Sequence, residues 1–93
     1  MAHIEKVVKA LNSETRRKIL RILAEEPKTI KEMAEALRKS YSINLKYRES
    51  VFKALERLVE ADLVEKHYEK ERGLVYKLKK KEIIVDLTEE EVR

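Results

Sequence analysis

Between residues 46 and 57 the chain carries Lys46, Tyr47, Arg48, Ser50, Lys53 and Arg57, all ending in N–H or O–H donors. Val51, Leu55 and Leu58 are interleaved with them at helical spacing. On a helix that spacing gathers the three apolar residues on one face. Lys46, Tyr47, Ser50, Lys53 and Arg57 then fall largely on the opposite side, with Arg48 at the border. Over residues 38–53 five bases (Arg38, Lys39, Lys46, Arg48, Lys53) stand against Glu49 alone, so the segment is positive. A solvated ionic face would look similar; a face for a polyanion is the reading with chemical content. A second cluster lies earlier. Thr29-Ile30-Lys31-Glu32 matches a capping box, and a helix N-terminus with its free amides suits a phosphate, with Lys28 adding a point charge.

Other chemistries lack their residues. There is no Cys, hence no thiolate ligand, disulfide or Cys nucleophile. His3 and His67 have no ligand partner at helical or hairpin spacing, so neither is expected to bind metal. There is no Gly-rich phosphate loop and no Ser/His/Asp set, and the carboxylates follow helix surfaces beside Lys and Arg as ion pairs do. Neither an enzyme nor a cofactor is expected.

The elements that must position these residues follow from periodicity. Ile4, Val7, Val8 and Leu11 predict a first helix over residues 3–11. Ser13 is a good N-cap for a second helix over about 14–25, with Ile19, Leu20, Ile22 and Leu23 as its apolar face, ended by Pro27. A third starts at Thr29 and buries Ile30, Met33, Ala34 and Leu37; its end near Ser40–Asn44 is open. A fourth should begin near Asn44 or Lys46 and run to Ala61, with Phe52 and Val59 as further candidates for its inner side. The period then changes to alternation. Leu63–Glu69 and Leu74–Leu78 predict a hairpin closed by Gly73 in a left-handed conformation, and Ile83–Leu87 one more strand.

Composition bounds the rest. Ninety-three residues suit one domain, and 43% apolar with 43% charged residues suits a folded core under a dense ionic surface. With one Gly and one Pro, long helices are the first expectation. Charge is uneven: residues 1–81 hold 21 bases against 13 acids, whereas residues 82–93 hold one against five. A basic body with an acidic tail points to a polyanionic partner. The N-terminus mixes acid and base without an apolar run, so neither a signal peptide nor a membrane span is expected, and the cytoplasm is the default location. Glutamine is absent and Lys and Glu abound, the balance found in hyperthermophile proteins.

Three segments carry a family resemblance: Ala10-Leu11-Asn12-Ser13-Glu14-Thr15-Arg16-Arg17-Lys18-Ile19-Leu20, Thr29–Leu37, and Ser50–Val64 ahead of the hairpin. Together they resemble the winged helix-turn-helix transcription regulators of the ArsR type, of an archaeal or thermophilic kind, over about residues 9–78. Extra residues between Leu37 and Val51 look closer to PadR-type winged helices, and Asp62 stands where such proteins usually have Gly. The resemblance implies a mainly α protein with a small β wing (α+β): four helices, a hairpin and a C-terminal strand in a single domain spanning 1–93. The helix-turn-helix would occupy about 29–61, the wing about 63–78, and the C-terminal strand and acidic tail 82–93.

It further implies double-stranded DNA as partner. The helix over about 46–61 would lie in the major groove, where Arg and Lys donate to guanine and Ser serves either base partner. Lys28, Thr29 and Lys31 would meet phosphate, and Lys70 and Arg72 at the wing tip (69–73) the flanking backbone or minor groove. A homodimer through the first helix, residues 83–87, or both would place two such helices about one DNA turn apart. A protein-contact module and a non-specific nucleic-acid or chromatin binder are the alternatives.

Overall fold

Ser13 accepts a hydrogen bond from the Arg16 amide through its side chain and opens α2, Glu14–Glu25. That cap separates it from α1, Ile4–Leu11. Thr29 opens α3, Ile30–Tyr41, with the complete capping box: its hydroxyl accepts from the Glu32 amide, and the Glu32 carboxylate accepts from the Thr29 amide. A computed structural model describes residues 4–43 and 48–79. Within it α4 covers Arg48–Glu60, β1 Val64–Glu69 and β2 Gly73–Leu78. Four helices and a two-stranded hairpin in this order make the expected mainly helical winged-helix architecture. The predicted start of α4 at Asn44 or Lys46, the strand over 83–87 and the acidic tail fall outside the described residues.

Two helices end on left-handed residues that are not glycine. Ser42 at φ 56° closes α3, where its amide reaches the carbonyls of Arg38 and Leu37. Asp62 at φ 64° follows α4, and the flanking bonds (Asp62 N–H to Val59, Leu63 N–H to Leu58) form a Schellman closure. Asp is among the few side chains that tolerate this region, which explains how it fills a place usually given to Gly.

The hairpin is antiparallel with Val64 opposite Leu78 and Glu69 opposite Gly73, leaving Lys70, Glu71 and Arg72 as the loop. Gly73 at φ 83° supplies the left-handed step that returns the chain. The main chain of Lys28 lies along the other side of β2: its amide donates to Tyr76 O (3.0 Å) and its carbonyl accepts from Tyr76 N (2.8 Å). A single bridging residue has no alternation, so periodicity could not reveal this third line of the sheet.

The core joins every described element. Ile19, Leu20 and Leu23 of α2, Met33 and Leu37 of α3, Val51, Leu55 and Leu58 of α4, and Val64, Tyr76 and Leu78 of the hairpin are all buried in one cluster. Fully burying a Leu or Ile stabilises by about 1.5–3 kcal/mol, so each of these fixes its helix rotationally. Ile30, Ala34 and Val59 are half-buried against that cluster. Phe52, a candidate for the inner side of α4, is instead 41% exposed. It lies one position after Val51 on a helix whose inward stripe is set by Val51, Leu55 and Leu58, and one step rotates it about 100° away.

Candidate nucleic-acid interface

Because Val51, Leu55 and Leu58 are turned into the core, α4 presents Arg48, Glu49, Ser50, Lys53 and Arg57 to solvent. Its two flanks meet different neighbours. On one flank Glu56 is a hub: Lys66 of β1 reaches its carboxylate (2.9 and 3.1 Å) and the Tyr76 hydroxyl donates to it (2.9 Å). Burial and the Glu56 carboxylate both push the Tyr76 phenol up, so it stays protonated and holds the hairpin against α4. On the other flank Ser50, Lys53, Ala54 and Arg57 line an open cleft of ≈ 360 Å³ opposite Ser13, Thr15 and Arg16 at the start of α2. Three residues singled out by helical spacing are thus brought together beside a helix N-terminus and an additional arginine.

Arg16 was not among the residues that spacing pointed to. Its side chain reaches back across the α1–α2 junction, donating through Nε to Ala10 O (2.8 Å) and through Nη2 to Lys9 O (3.0 Å). Arg17 donates to Leu11 O (2.6 Å). Two guanidinium groups therefore satisfy the last carbonyls of α1 and oppose the negative end of its dipole. Partial burial, and then the nearby charge of Arg57, lower the Arg16 pKa from its ordinary value. The available signal was two adjacent arginines in the first turn after an Asn-Ser break, within reach of the preceding helix end.

The cations of α4 and of the wing are held differently. Among the described residues no acid pairs with Arg48 or Arg57, and Lys53 is only 3.5 Å from Glu49 in an exposed i,i+4 pair. Lys70 is exposed at the wing tip. Arg72, expected to share that tip, reaches across the surface to α3: it pairs with Glu32 and donates to Pro27 O (3.1 Å), with Glu69 at 3.5 Å. Glu32, held by the Thr29 amide first and Arg72 second, has its carboxyl below the usual range. At the start of α3, Lys28 is tied to Glu26 (2.6 Å), while Lys31 is exposed. Lys46 and Tyr47 lie outside the described residues.

His67 sits in β1 with Nε2 3.0 Å from Glu69. Among the described residues no group of three or more His, Asp or Glu could hold a metal ion, and no helix is long and apolar enough to cross a membrane. On α1, Val7, Ala10 and Leu11 pack into the chain's own core, while Val8, 59% exposed, faces outward.

No curated protein matches the chain. Residues 13–43, which span α2 and α3, match the family model described as bacterial regulatory protein, arsR family, and this similarity supports a DNA-binding transcription regulator of the helix-turn-helix kind.

Proposed function

We propose that this chain binds double-stranded DNA sequence-specifically as a transcription regulator in the cytoplasm, with α4 in the major groove and the wing on the flanking backbone or minor groove. The observation that carries this reading is the placement of α4. One side is clamped by three fully buried residues, the opposite side offers Ser50, Lys53 and Arg57 beside Arg16 of α2, and Arg48 is exposed at the border. A helix so held fits a groove while the start of α2 and the wing follow phosphates on either side. Arg48 and Lys53 are assigned to base edges, and Ser50 and Arg57 to the cleft-side backbone. Lys31, Thr29, Lys28 and Lys70 are assigned to phosphates. Arg72 acts through the wing it fastens. Phe52, exposed on the same helix, suits a thymine methyl group. The groove assignment extends to Lys46 and Tyr47 by continuity of sequence. A homodimer through α1, residues 83–87 or both is retained in this proposal.

Selection of bound duplexes from a random pool, read at two salt concentrations, tests the reading. Affinity must fall steeply with salt because phosphate contacts release counterions. Selected duplexes must bind at least about 1,000-fold tighter than random ones. Salt-independent or absent binding would leave the fold as a protein-contact module, and equal affinity for all duplexes would make it a non-specific binder.

A further inference from the structure

Behind the cleft lies a second depression of ≈ 230 Å³, walled by Lys6, Lys9 and Ala10 of α1, Arg16 of α2, and Arg57, Glu60 and Ala61 at the end of α4. Four of its wall residues are cations and one is an acid. We propose that this cavity binds a small polyanion of the phosphate or carboxylate class, and that the anion competes with DNA because Arg16 and Arg57 line both the cavity and the cleft.

The site is built rather than merely charged. Arg16 is anchored by its two bonds to the end of α1, which spend two of its five N–H donors and fix the guanidinium at the wall with the others available. Among the described residues no acid pairs with Lys6, Lys9 or Arg57, and Glu60 forms no ion pair there. Arg16 and Arg57 stand close enough for like-charge repulsion to be felt at Arg16, a repulsion that a bound anion relieves. The volume decides the ligand's size. Pockets for drug-sized ligands run to about 300–1,000 Å³, so this smaller cavity takes one small anion or the anionic head of a larger metabolite. Its α1 wall and the Glu60–Ala61 end of α4 lie away from the N-terminal half of α4 assigned to the base edges, so the occupant is a small anion rather than the duplex groove. The competition rests on the proposed DNA-binding role; the anion site does not.

Calorimetric titration of the full chain with pyrophosphate, and separately with citrate, at ionic strength held constant with sodium chloride, tests the site. Saturable one-site binding is expected. It should weaken at least about fivefold in Lys9→Gln, a loss of one of four cationic contacts of about 1 kcal/mol. It should be unchanged in Lys77→Gln, which removes an equal charge elsewhere. Pyrophosphate binding alone assigns the phosphate class, and citrate binding alone the carboxylate class. Heats that do not saturate, or an equal loss in both variants, would overturn the site. At the same ionic strength, pyrophosphate should reduce duplex affinity in the parent chain and reduce it less in Lys9→Gln, because linkage between two ligands is reciprocal. Anion binding that leaves duplex affinity untouched would overturn the competition. A chain that binds no duplex would sink the DNA reading, and the calorimetric result would still decide the cavity.

Discussion

The outward side of α4 and the wing hold cations of the same kinds and put them to different uses. On α4, Arg48 and Arg57 have no acidic partner among the described residues, and Lys53 touches only a neighbour one turn away. On the hairpin, Lys66 is bound to Glu56, Lys77 to Glu65, Lys79 to Asp62 and Arg72 to Glu32. Cations left unpaired can neutralise a ligand's charge, whereas cations already paired orient the element that carries them. Residue type therefore marks α4 as a candidate binding surface far better than it marks the wing, where among the described residues Lys70 is the cation without an acidic partner.

The largest expected effect tests whether the inner side of α4 governs the outer. Leu55→Ala should destabilise the chain by about 2–5 kcal/mol in urea unfolding followed by circular dichroism, and duplex affinity should fall with it. Full duplex affinity in a folded Leu55→Ala chain would break the link between the two sides. Next, Lys53→Ala and Arg48→Ala should each cost about 1–3 kcal/mol of binding to a selected duplex, in fluorescence anisotropy, with little change in stability. Lys77→Ala, paired across the hairpin with Glu65, provides the charge-matched control. If it costs as much as Lys53→Ala, the contrast between the outer side of α4 and the hairpin fails.

Gly73→Ala probes the wing from the opposite direction. A Cβ at this position meets nothing within 4 Å, so the whole cost arises from φ 83° and should be about 1–2 kcal/mol of stability. Arg72→Ala should loosen the hairpin tip, seen as faster amide exchange over residues 69–75, while reducing duplex affinity less than Lys70→Ala does. Acid titration sharpens this assignment. The Glu32 carboxyl is depressed in the folded chain, so its contribution is fully present above the ordinary Glu range near about pH 4.3. It is lost as pH falls through the lowered folded value. Glu32→Gln should flatten that part of the stability profile, and an unchanged acid limb would show that the carboxylate does not secure the wing.

What could be read in advance depended on the distance over which each signal acts. Ser13 and the Thr29–Glu32 box act within one helical turn, and both caps stand where the sequence puts them. The inward stripe of Val51, Leu55 and Leu58 repeats at the helix period and was equally legible. Phe52 was ambiguous because a bulky apolar residue beside a stripe has no spacing of its own. Arg72 and Glu32 lie forty residues apart, so no local pattern links them. The same holds for Glu56 with Tyr76, and for the Arg16 guanidinium, whose destination depends on where α1 comes to rest. Candidate residues on α4 were therefore accessible from spacing, and the cleft and cavity that collect them were not.

The double hydrogen bond between Lys28 and Tyr76 gives the hairpin a second mooring. A hairpin hinged only at the α4–β1 turn would swing freely, and a pull on its tip would end there. With β2 tied to the stretch joining α2 and α3, and Arg72 tied to the first turn of α3, such a load passes into α3 as well. Tip and helices then shift together as one stiff lever.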